Sequence, residues 1–192
     1  MTSETAAESN DSFVPPTASL QACDEPSAAV RSPLAHVVLY QPQIPQNTGN
    51  IGRTCVATGS KLWIVQPAAF QINEKRVRRA GLDYWQYLNW ADVASWDDLR
   101  QNLPERATHQ RYWYFSRFAR KTIWEVDFMP GDVFVFGSET SGLPRTIFQP
   151  DDANAVRLPT AVEVRSLNLS ATVAVVLYEA MRRRQLSALK PL

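Results

Sequence analysis

Residues 132–144 read DVFVFGSETSGLP. The run DVFVF (132–136) carries valine and phenylalanine at both parities, as a strand buried on both faces requires. It ends in a polar loop, FGSETSGLP (136–144), bracketed by Gly137 and Gly142 and holding one acid, Glu139. Ligands of open α/β sheets bind at the carboxyl ends of strands. A glycine there lets a ligand approach the backbone, whose N–H and C=O groups can read a base edge without side chains. A phosphate grip is absent. Leu143-Pro144 stands where a P-loop needs Lys and Ser/Thr, the dinucleotide fingerprint is missing, and Gly49-x-x-Gly52 is only a fragment of it. Taken alone, Gly137 and Gly142 are equally well explained as turn glycines.

Working outward, HVVLY (36–40), KLWIV (61–65), YWYFS (112–116) and AVRLP (155–159) are further short apolar runs with strand composition. Helical stretches separate several of them. NIGRTCVATG (50–59) is expected to start at an Asn50 cap and stop at Gly59, and NEKRVRRAG (73–81) at an Asn73 cap and Gly81. SWDDLRQNL (95–103) opens on Ser95-x-x-Asp98, close to a capping box. The last helix is expected from Asn168 to about Gln185, apolar over most of its faces. Strands alternating with helices imply an α/β fold, a parallel sheet flanked by helices. Residues 1–34 are polar and Pro/Ala/Ser-rich without apolar period and read as a disordered tail; residues 35–192 read as a single domain.

Composition removes whole classes of function. The net charge is +1, so a polyanionic partner must meet a local basic patch. Cys23 and Cys55 make no disulfide framework, and two histidines build no metal site. No apolar run approaches the roughly 20 residues of a membrane span, and MTSETAAESND lacks the order of a signal peptide. The expected location is cytoplasmic.

Three segments, QPQIPQNTGNIGRTC (41–55), FGSETSGLP (136–144) and RLPTAVEVRSLNLSATVAVVLYEAMR (157–182), resemble the signatures of SPOUT-class RNA 2′-O-methyltransferases. Together with KRVRRAGLDY (75–84) they are most similar to the small bacterial tRNA wobble-nucleotide (cytidine/uridine, position 34) subfamily. The resemblance implies a C-terminal trefoil knot, S-adenosylmethionine as donor (S-adenosylhomocysteine as product), no metal, a homodimer and a tRNA anticodon stem-loop as partner. Carried onto this chain, it makes Arg53 catalytic. Phe115, Gly137, Leu158, Ser166 and Leu167 become the cofactor site, with Leu158 against adenine. Arg76, Arg79 and Arg165 become RNA contacts, and Tyr178 a dimer residue. Ser138 and Ser141 depart from the commoner Pro and Arg, which weakens an RNA contact from this loop.

The implied chemistry aligns a ribose 2′-OH behind a sulfonium methyl, and positioning alone supplies up to about 7–11 kcal/mol. Arginine stays protonated at neutral pH. Arg53 is therefore expected to hold phosphate or ribose and stabilise the developing alkoxide, while a phosphate oxygen or water takes the proton. Two other readings stand beside this one: the same chemistry on another tRNA position or on rRNA, and a non-catalytic knotted RNA-binding protein.

Overall fold

A computed structural model describes residues 33–70, 83–103 and 111–188. The chain runs β1 (Ala35–Tyr40), α1 (Pro45–Thr58), β2 (Lys61–Val65), a 3-10 turn (Asp83–Tyr87), β3 (Trp90–Val93) and α2 (Trp96–Asn102). It continues through β4 (Tyr112–Phe115), β5 (Lys121–Thr122), a second 3-10 turn (Ile123–Glu125), β6 (Asp132–Phe136), β7 (Ala155–Arg157) and α3 (Leu169–Ala188). The strands form one seven-stranded sheet in the order β3-β2-β1-β6-β4-β7-β5. Every pairing is parallel. The expected strand runs are all present. Two further strands, β3 and β5, lie at the sheet's edges.

Pleating explains why the central strands are apolar at both parities. Val37 and Leu39 of β1, Ile64 of β2 and Phe134 and Phe136 of β6 join Ile51 and Cys55 of α1 and Val173, Val176 and Leu177 of α3 in one core. The intervening Val38, Trp63, Val65, Val133 and Val135 pack with Leu99 and Leu103 in a second core. Successive strand side chains point to opposite faces, so helices cover the sheet on both sides.

Helix α1 corrects one expectation. It begins at Pro45, not beside Asn50, which lies inside it. Proline's fixed φ suits the first helical turn, and Ile44 at the N-cap makes no side-chain cap bond. Local capping chemistry is therefore missing from the sequence around the true start. The other end behaves as expected, with Gly59 at φ 66° donating its N–H back to the last turn. In α2, Ser95 Oγ accepts from Asp98 N–H at 3.1 Å. Asp98 accepts from Ala94 N–H, one residue short of closing a capping box. The expected helix over 73–81 lies outside the described residues. No helix among the described residues is long and apolar enough to cross a membrane.

His36 on β1 is buried beside Lys61 of the neighbouring strand. Trp63 Nε1 donates to His36 Nδ1 at 3.1 Å. Burial first, then the Lys61 charge, lowers the imidazole from 6.5 to about 4. The folded state therefore favours neutral His36. Its contribution is complete above about pH 6.5 and is lost as pH falls towards 4. At pH 5 the expected loss is about 2 kcal/mol. Thermal melts between pH 7.5 and 5 check this: His36→Gln, which keeps an acceptor for Trp63, should flatten the acid-side fall in Tm.

Candidate active site

A cleft of about 1210 Å³ opens over the carboxyl ends of the central strands. Its floor is aromatic: Phe115 ends β4, Phe136 ends β6, and their rings stack 4.4 Å apart at 13°. The loop from Gly137 to Pro144 forms one wall, Leu158 to Leu169 another, and Ile44 and Asn47 at the start of α1 close a third side. The three sequence segments thus converge.

A polar chain ties them together. The Glu139 carboxylate accepts from Gln43 N–H at 2.8 Å, Ile44 N–H at 3.2 Å and Asn47 Nδ2 at 3.0 Å. The Gln43 and Ile44 amides lie just ahead of the helix, so Glu139 anchors the entry into α1 from a distant loop, and its charge complements the helix N-terminus. Buried Asn47 passes the link on, because its Oδ1 accepts from Asn168 Nδ2 at 2.9 Å. Asn168 Oδ1 then caps α3, accepting from Ser170 N–H at 2.8 Å. One acid and two amides join the starts of two helices to the Gly137–Gly142 loop.

The loop's glycines have a local reason too. A Cβ on Gly137 would lie 2.0 Å from the Gly142 carbonyl carbon, because the loop closes onto its own start. Gly142 donates its N–H to Ser138 O at 2.9 Å and has φ +69°. The turn reading of the opening stretch accounts for both glycines, and both also line the cleft.

Phe115, Gly137, Leu158, Ser166 and Leu167 all line this cleft, as does Arg165. Phe115 is also a core residue, 9% exposed. Arg53 is not among the lining residues; it lies exposed on α1 with its guanidinium 4.7 Å from the Tyr84 ring centroid. Tyr178 is exposed on α3 beside Val175. Arg76 and Arg79 lie outside the described residues. Asn168 does cap a helix, and it also bridges to Asn47. Sequence reasoning gave Glu139 and Asn47 no role. The available signal was a proline-initiated helix without a local cap, facing a loop with a lone acid.

The cleft fits a base-bearing ligand: it is large, apolar at its floor, walled by backbone loops and without a P-loop lysine. Fold and site together define an α/β protein with a large cleft over the carboxyl ends of a parallel sheet. The chain belongs to the SpoU rRNA Methylase family, whose model matches residues 35–178. It is 44% identical to the tRNA (cytidine(34)-2′-O)-methyltransferase of Methylovorus glucosotrophus, over 77% of this chain and 94% of that one. The Saccharophagus degradans protein of the same name is 41% identical over the same shares. A solved structure concerned with 2-OH methylation of C/U34 on tRNA superposes with a TM-score of 0.71 at 37% identity, covering 79% of this chain and 96% of that one. The SpoU methyltransferase AviRb of Streptomyces viridochromogenes, in complex with the cofactor AdoMet, superposes at 0.68 with 26% identity, covering 81% and 60%.

Glu139→Ala is expected to lower stability by about 1–2 kcal/mol, as loss of a helix cap does. Asn168→Ala should cost about 1 kcal/mol. Because the two meet through Asn47, the double variant should lose less than the sum in urea denaturation.

Proposed function

We propose that the protein transfers a methyl group from S-adenosylmethionine to the ribose 2′-OH of the wobble nucleotide, position 34, of tRNA. The observation that carries this is the meeting of Phe115, Gly137, Leu158, Ser166 and Leu167 in one cleft. The names of its relatives and a neighbour's bound AdoMet support the same reading. When bound, the donor supplies an electrophilic sulfonium methyl, so the protein's task is largely binding and alignment. Leu158 would pack against the adenine, the Gly137 backbone would meet the base or ribose, and Ser166 and Leu167 would close the pocket ahead of α3.

The chain's own residues divide the remaining work. Arg53 holds a phosphate or the ribose through paired N–H groups and stabilises charge developing on the 2′ oxygen. Water or a phosphate oxygen accepts the proton. Cys55 takes no part as a nucleophile, since burial pushes its thiol up to about 12. Arg117, Arg145, Arg157 and Arg165 line the cleft, a local concentration of positive charge in a chain of net charge +1. That rim neutralises phosphates of the anticodon loop, compensating for Ser141 in place of a loop arginine; Arg76 and Arg79 stay RNA contacts by the family resemblance alone.

The C-terminal part of the chain threads through a loop as a trefoil knot, as the family resemblance implies. Two copies pair through the exposed Tyr178 and Val175 face of α3, in the cytoplasm where tRNA is processed. Light scattering should give twice the chain mass, and Tyr178→Asp should give monomers.

Arg53→Lys should reduce turnover at least about tenfold, because one ammonium cannot replace two parallel N–H donors. Mass spectrometry of digested tRNA from cells with and without the protein tests the substrate. Loss of the 2′-O-methyl mark at nucleotide 34 is expected. Loss at another tRNA position or in rRNA, with nucleotide 34 unchanged, overturns the choice of substrate.

A further inference from the structure

Arg53 is exposed, and among the described residues it makes neither an ion pair nor a hydrogen bond through its side chain. What holds it is a ring. Its guanidinium carbon lies 4.7 Å from the centroid of Tyr84. The Tyr84 hydroxyl donates to the carbonyl of Gly49, four residues before Arg53 on α1, at 2.7 Å. The ring is thereby tied to the helix that carries the arginine.

The neighbouring packing explains how the ring arrives there. Trp85 and Leu88 press against α1 at Gly52, where an added Cβ would stand 2.9 Å from Trp85 Cζ3 and 3.1 Å from Leu88 Cδ2. Only a residue without a side chain lets the 3-10 turn lie this close. Within the Gly49-x-x-Gly52 fragment, too weak to indicate a nucleotide site, Gly52 has a packing use: it seats the turn that places Tyr84 against Arg53.

From this arrangement we infer that Tyr84 is a positioning residue that presents Arg53 to the RNA substrate; the inference rests on the role proposed above for Arg53. All five guanidinium N–H bonds lie in the group's own plane. An aromatic face holds a cation by its quadrupole and consumes no donor. A carboxylate partner would fix the same side chain but occupy the N–H groups that a phosphate needs. Restricting the arginine beforehand also reduces the rotamer entropy lost when RNA binds.

The test is a double-mutant cycle on methylation of an anticodon stem-loop, with donor binding by calorimetry as the check on folding. Tyr84→Leu should lower kcat/KM about tenfold and leave donor affinity within about twofold. Tyr84→Phe, which keeps the ring, should lose less than about threefold. In an Arg53→Ala background, Tyr84→Leu should cost nothing further. The inference is overturned if Tyr84→Leu is as active as wild type, or loses as much without Arg53 as with it. If Arg53→Ala alone retains full turnover, the role of Arg53 is wrong and this inference falls with it.

Discussion

A single carboxylate, Glu139, determines where the rest of the site can be. It reaches across 96 residues of sequence to the Gln43 amide, and across 95 to that of Ile44. Backbone N–H groups at the entry to a helix need acceptors, and for Gln43 and Ile44 the loop after the central strand β6 supplies one. Through Asn47 and Asn168 the constraint passes to the start of α3. Each hydrogen bond is worth only about 1 kcal/mol. Together they fix three walls of one cleft, and that geometric consequence exceeds their energetic one.

The site separates two kinds of recognition. The floor is aromatic, suited to a flat base, the walls carry polar groups such as Glu139, Asn47 and Asn168, and four arginines line the cleft as well. A chain of net charge +1 can meet RNA because that charge is local. Arg53 stands apart from both, on the exposed side of α1 and against Tyr84. Its position suits a residue that meets the acceptor and leaves the donor to the cleft.

Much of the fold was legible because burial on both sheet faces leaves a clear mark: HVVLY, KLWIV and DVFVF are apolar at both parities. β3, with Asp92 among its four residues, and β5, a Lys-Thr pair, carry no such mark. The start of α1 is not legible locally because its acceptor comes from a distant loop; Asn50 has capping chemistry but lies inside the helix. Convergence of the three segments came from family resemblance and could not come from periodicity. Glu139 as a remote anchor and Tyr84 as a support for Arg53 both depend on contacts between residues far apart in sequence, which no local pattern encodes.

The central claim, that these converging loops serve methyl transfer to a ribose, is tested most directly with a labelled methyl donor and two anticodon stem-loops. One carries an ordinary ribose at nucleotide 34, the other a 2′-deoxyribose there and nowhere else. Label in the first and none in the second is the predicted result. Equal label in both, or none in either while the donor binds, would contradict it.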